Sequence, residues 1–558
     1  MSEAYLRLGA ALPPRKTPGT DAFRTEPRAL RAWLDALPLA NVGAAAANVL
    51  HGLRRFNGQR VDAMPRLDAL EALRPTVLQL AAAVDQQIVG ASFPLPDAKA
   101  ELGEVALAFQ HELALGYRIA LVELCAPAGA VGFLRGKPVA LAALRAAQHG
   151  HEHLLRAYRL YRAPPQGAWQ ALHDVHRFAA TARLDDREVD GSTSRAIYFE
   201  ALLLALMNPY RHTQRGQAEA AAFARLLAPY AELRERGGVR DILVQSGPDR
   251  GPGYVAEERA DATAGASMLH LDRVLAFVEE QFARAPAGAL ATPFRQRGGT
   301  ALTLDNELAR RFVADLGAHA ARGHERLGGG YRLDSVLGLH DLHYMLAGED
   351  FGRFLQRTGG ESAEAEHGQR GSSAARATRV PVRVLDQSLG GYRLLWDRSA
   401  RQNARVRVGE PVGLALPESE PDATQDWLVG VVRWIRIDEH GAVDAGIELL
   451  ARRALPVGIR PLERDRERAP LRGVLLAPLQ GGVAAGYGAL LASTEFAGDT
   501  GEFELLRPDD EQGAPEPARV ERMAGLALVE DTGVCRRFAL SAHAPEAVDD
   551  GVSEPLDA

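Results

Sequence analysis

Residues 379–396 read RVPVRVLDQSLGGYRLLW, two strand-like runs on either side of Asp386-Gln387-Ser388-Leu389-Gly390-Gly391. Residues at i and i+2 lie on the same side of an extended chain, so Asp386 and Ser388 share one face. Gly390 and Gly391 lack a Cβ, which permits a positive φ angle and close backbone approach. The segment predicts a hairpin whose turn offers a carboxylate, a hydroxyl and an uncovered backbone to a ligand. The same residues also suit a plain hairpin, with Asp386 and Ser388 satisfying only the turn.

Strand-like segments follow at 405–416, 427–437 and 443–450, and again at 471–494, 501–506, 518–530 and 534–541. Ahead of the hairpin, residues 358–377 contain no large apolar side chain and predict a mobile loop. From about 20 to 236 the pattern is helical. Leu102, Val105, Phe109, Leu113, Tyr117, Leu121 and Leu124 recur at spacings of three or four. A second helix follows Ser194, a candidate N-cap. Residues 239–256 read as strands around a turn, followed by helices over 266–284 and 304–319.

The expected architecture is therefore multidomain: an α-helical module (1–236), a mixed α/β connecting region (237–320), an antiparallel β-barrel (321–462), a small β extension (463–543) and an acidic, disordered tail (544–558).

Formal charge is −7 over 558 residues. Proteins that bind DNA or RNA usually carry a basic excess, because phosphate neutralisation supplies most of their affinity. That excess is missing here, whereas a small anion needs only a few placed arginines. Cys125 and Cys535 are far apart and form no disulfide framework, which suits a reducing cytoplasm. The N-terminus lacks a basic region followed by an apolar core, so no signal peptide is expected. No apolar run approaches the roughly 18–20 residues of a membrane span, so direct membrane insertion is not expected.

Asp386, Ser388 and Gly391 resemble the D/N-x-S-x-x-G signature of PilZ domains. Downstream, Trp427–Asp438 and Val443–Leu450 resemble the closing hairpin of that barrel, within which Arg433 and Arg436 fall on opposite faces. The resemblance spans about residues 320–460. It implies a non-catalytic effector that binds cyclic di-GMP and works through a protein partner, the helical module being the natural partner surface. Outputs of that family include surface motility, pili and biofilm formation. The family also uses an R-x-x-x-R motif on the chain leading into the barrel. Arg322 and Arg326 match it, with an unusually long interval before Asp386; Arg379 and Arg383 match it on the signature strand itself. The implied ligand set is Arg322, Arg326, Asp386, Ser388, Gly390 and Gly391, with Arg379 and Arg383 as the other arginine pair. Arginine can fork to phosphate or to a guanine edge, and a carboxylate accepts from guanine N–H groups.

Two rivals remain. One is a scaffold whose barrel no longer binds nucleotide, favoured by the long interval after Arg326. The other is a metal enzyme built on His149, His151 and His153. Arg145 and Arg156 flank that cluster and disfavour a dication, and His151 lies on an apolar side. His340, Asp341 and His343 fall in a predicted helix and read as structural. Neither a P-loop nor a nucleophile elbow is present, so no catalytic, cofactor or metal residue is assigned.

Overall fold

The computed structural model describes residues 2–20, 22–132, 134–234, 242–245, 247–254, 266–296, 299, 301–317, 326–358, 377–398, 404–417, 426–463, 466–467, 469–479, 486–498, 502–508 and 520–540. The chain forms two compact units. One comprises Met1–Glu325 with Trp434–Asp444, the other Arg326–Arg433 with Ala445–Ala558.

The first unit is helical over most of its length. Phe109, Leu113, Tyr117 and Leu121 are fully buried on helix Asp97–Leu124, so the stripe read from the sequence is its packed face. Among the described residues this helix alone is long and apolar enough to cross a membrane, and 67% of its apolar window is buried inside the protein. The sequence expectation that no apolar run reaches this length therefore missed it, since Glu112 and Arg118 break its apolar residues into shorter stretches. Helix Ser194–Leu206 is capped one residue earlier than expected: the Thr193 hydroxyl accepts from the Ala196 N–H at 3.1 Å.

A four-stranded sheet follows, in the order Glu232–Arg234, Ser267–His270, Ile242–Val244, Gly253–Tyr254. Strand Ser267–His270 occupies the start of the helix predicted over 266–284, and the helix runs Asp272–Arg284 instead. Leu269 sits in register with Leu233 on one side and Ile242 on the other, and this double pairing overrides the local helical pattern.

In the second unit six strands close into an antiparallel barrel. Arg332–Leu337 pairs with Val380–Ser388, which pairs with Gly391–Trp396, and the circuit returns through Val443–Ala451, Leu428–Ile437 and Pro411–Ala415. The short strand Leu327–Gly328 adds beside the signature strand. Val380, Val382, Val384, Leu394 and Trp396 point inward. The Trp396 indole N–H donates to the Ser335 hydroxyl at 2.9 Å, and that hydroxyl donates to the Val380 carbonyl at 2.7 Å. Residues 434–444, the tip of the closing hairpin, belong to the first unit: the Ile437 N–H donates to the Tyr161 carbonyl at 2.8 Å, and the Arg436 guanidinium lies 4.6 Å from the Tyr210 ring centre.

The C-terminal sheet runs Val520–Ala524, Glu502–Leu506, Ala454–Glu463, Leu471–Leu476, Ala489–Ser493, Cys535–Ala539, Ala527–Asp531. It shares a core with the barrel, where Val336, Trp427 and Val429 meet Val474, Leu476 and Leu491, with Leu342 of helix Leu339–Ala347 among them. Arg433 also joins the two sheets, donating to Glu448 at 2.6 Å and to Glu530 at 3.0 Å. The predicted tail, 544–558, and almost all of the predicted loop, 358–377, lie outside the described residues.

Candidate functional site

The signature strand contains a bulge. Leu394 and Leu395 pair with Val384 and Arg383, but Arg393 pairs with Asp386, so Leu385 is the extra residue. A bulge re-aims the side chains that follow it. Inward alternation through Val380, Val382 and Val384 therefore breaks, and Asp386 shares the outer face with Arg383 instead of following Val384 into the core. Ser388 pairs with Gly391 two positions on, so Asp386 and Ser388 do share a face as their spacing implies.

The turn is fixed against the next strand. The Leu449 N–H donates to the Gly390 carbonyl at 2.9 Å, and a Cβ on Gly391 would run into the Ile447 carbonyl oxygen. The chain leading into the barrel is equally close. The Gly329 N–H donates to the Leu385 carbonyl at 3.0 Å, and a Cβ there would strike the Val384 carbonyl. Both glycines serve close backbone approach.

That approach delivers Arg326 to the signature. Its guanidinium donates to the Asp386 carboxylate at 2.7 Å, and Arg393 lies 3.9 Å from the second carboxylate oxygen. Arg322 lies outside the described residues. The other arginines, Arg379 and Arg383, are both exposed; Arg379 sits 5.7 Å from the Trp427 ring centre and Arg383 lies directly opposite Arg332. Tyr331 donates to Gln387, and Gln387 pairs with Leu327 on one side and Tyr392 on the other. Burial, with Tyr392 nearby, pushes the Tyr331 phenol up from its ordinary value.

Arg332, Arg393 and Tyr331 escaped the sequence reading. Their signal is cross-strand register, which no local spacing encodes. Arg433 and Arg436 separate as expected, but Arg433 is engaged by two carboxylates and Arg436 by Tyr210.

The histidines of the first cluster are packed groups. His149 Nδ1 lies 2.7 Å from Gln110 Oε1, its Nε2 accepts from Arg74 at 3.2 Å, and its ring stacks on Tyr117. Burial, reinforced by nearby arginines, pushes it down to about 3. His151 and His153 are pushed to about 4 and about 3, again chiefly by burial. His343 is buried 3.2 Å from the Val457 carbonyl, while His340 is exposed beside Asp341. Among the described residues no group of three or more His, Cys, Asp or Glu side chains is placed to hold a metal ion.

Residues 359–456 match the family model described as the middle PilZ domain of the cyclic-di-GMP receptor FimW. The barrel is a PilZ domain. Residues 28–237 match the model for the N-terminal domain of the same receptor, so the helical module preceding this PilZ domain also has a counterpart there. Across the chain, cyclic-di-GMP receptor FimW of Pseudomonas aeruginosa is 25% identical over 517 residues, covering 81% of each protein. No solved structure matches.

Proposed function

We propose that this protein is a cytoplasmic, non-catalytic effector that binds cyclic di-GMP at its PilZ barrel and relays that binding to a protein partner through the helical module. The Arg326–Asp386 pair is the observation that carries the reading, because it joins the arm to the signature residue that would read guanine. Similarity to a receptor named for this ligand supports it.

Binding is an exchange of partners. Arg326 is 45% and Asp386 21% exposed in its side chain, and a pair this open contributes at most about 1 kcal/mol. Charge-assisted bonds from Arg326 to phosphate and from guanine N–H groups to Asp386 contribute about 1.5–3 kcal/mol each. The exchange therefore favours the ligand. Ser388 and the turn backbone add short-range bonds, and Arg322 supplies the second arm arginine. Arm closure would reorient the helical module, with motility, pili or biofilm formation as the output class. The core ligand set is Arg322, Arg326, Asp386, Ser388, Gly390 and Gly391, with Arg379 and Arg383 as the other candidate arginines.

The carboxylate's existing partner also favours the rival reading, a barrel closed on itself that serves as a scaffold. Calorimetry with cyclic di-GMP on wild type, Arg326→Ala and Asp386→Ala separates the two. The effector gives saturable binding weakened at least about tenfold by either change, and the scaffold gives no heat in any of the three. Ligand-independent inter-domain distances by FRET would remove the relay.

A further inference from the structure

Arg332 and Arg383 are Cα partners on adjacent barrel strands, and both are exposed on the outer face. Side chains directly opposite one another stand about 4.5–5.5 Å apart at Cβ, and like charges there are destabilising. Among the described residues nothing relieves this pair: neither guanidinium makes an ion pair or hydrogen bond there. Nearby arginines differ. Arg326 and Arg393 flank Asp386, Arg379 lies over Trp427, and Arg433 is held by Glu448 and Glu530. The outer-face carboxylate on the far side, Asp334, is in register with Pro381 and pairs with neither arginine.

The bulge at Leu385 sets this pair beside the signature. Asp386 and Arg393 form one cross-strand row on the outer face, and Arg332, Arg383 and Leu395 form the next. Two arginines therefore flank one carboxylate, and two more lie in the next row, offset along the strands by roughly 7–10 Å at about 3.4 Å per residue. Cyclic di-GMP carries two phosphodiesters on one ring and so presents two anions together.

We propose that Arg332 and Arg383 form a second anion subsite, which takes one phosphodiester of the ligand while Arg326 and Arg393 serve the end that Asp386 reads. The subsite rests on the cyclic di-GMP reading and extends it: the ligand lies across three strands of the outer barrel face. A bound phosphate converts the unfavourable arginine pair into a charge-assisted clamp.

The test titrates cyclic di-GMP, and the linear dinucleotide GpG with its single phosphodiester, into wild type, Arg332→Ala and Arg383→Ala. Each variant is expected to bind cyclic di-GMP at least about tenfold more weakly and GpG within about threefold of wild type. Without ligand each variant should melt no lower than wild type, because a like-charge contact has been removed. Undiminished cyclic di-GMP affinity in both variants overturns the subsite alone. Wild type that binds no cyclic di-GMP overturns the underlying reading and the subsite with it, so the wild-type titration tells the two failures apart.

Discussion

The Arg326 guanidinium donates to the Asp386 carboxylate at 2.7 Å across 60 positions of sequence. The pair fastens the arm to the signature strand, yet both side chains stay partly open to solvent. A double-mutant cycle on stability with Arg326→Ala and Asp386→Asn should therefore give a coupling below about 1 kcal/mol without ligand. With cyclic di-GMP, both single variants should lose most of the ligand-induced rise in melting temperature. A large coupling without ligand would make the contact a structural strut.

Gly391 and Gly328, each on a strand paired with the signature strand, should respond differently to an added methyl. Gly391→Ala drives a Cβ into the Ile447 carbonyl and should destabilise by about 1–3 kcal/mol. Gly328→Ala meets nothing within 4 Å and should change stability by less than about 0.5 kcal/mol. Urea denaturation of the two variants checks the contrast.

Ser335→Ala leaves the buried Trp396 indole N–H without its acceptor. A buried donor without a partner costs about 1–3 kcal/mol. Trp396→Phe removes that donor instead, and the Ser335 hydroxyl keeps its bond to Val380. Indole replacement should leave a small cavity, so the more informative comparison is the double variant, whose loss should be smaller than the sum of the two single losses.

Acid should weaken the helical module. His149, His151 and His153 are held at about 3, 4 and 3, below the unfolded value near 6.5. The unfolded chain therefore takes up protons first, and stability is lost as pH falls from about 6.5 toward 4. Glu200 runs the other way: burial raises it to about 7, so its contribution is present at low pH and is lost as pH rises from about 4.5 through 7. His149→Gln should flatten the acid limb, measured as denaturation midpoints at pH 7 and pH 5.

Local geometry was legible in the sequence alone. The hairpin through Asp386, Ser388 and the glycine pair could be read because its residues lie within six positions, whereas spacing by itself suited a plain turn as well as a ligand site. The buried stripe of helix Asp97–Leu124 was legible for the same reason, since a 3.6-residue period lies within one element. Strand Ser267–His270 was not, because its identity comes from neighbours on both sides.

Tertiary structure alone decided which arginines surround the signature carboxylate. A single inserted residue, Leu385, turns Asp386 outward, and antiparallel register then brings Arg393 opposite it and Arg332 opposite Arg383. Side chains alternate faces with a period of two, so a shift of one position exchanges inside for outside. Composition and spacing cannot carry that information, since it arises only when strands distant in the chain hydrogen-bond to one another.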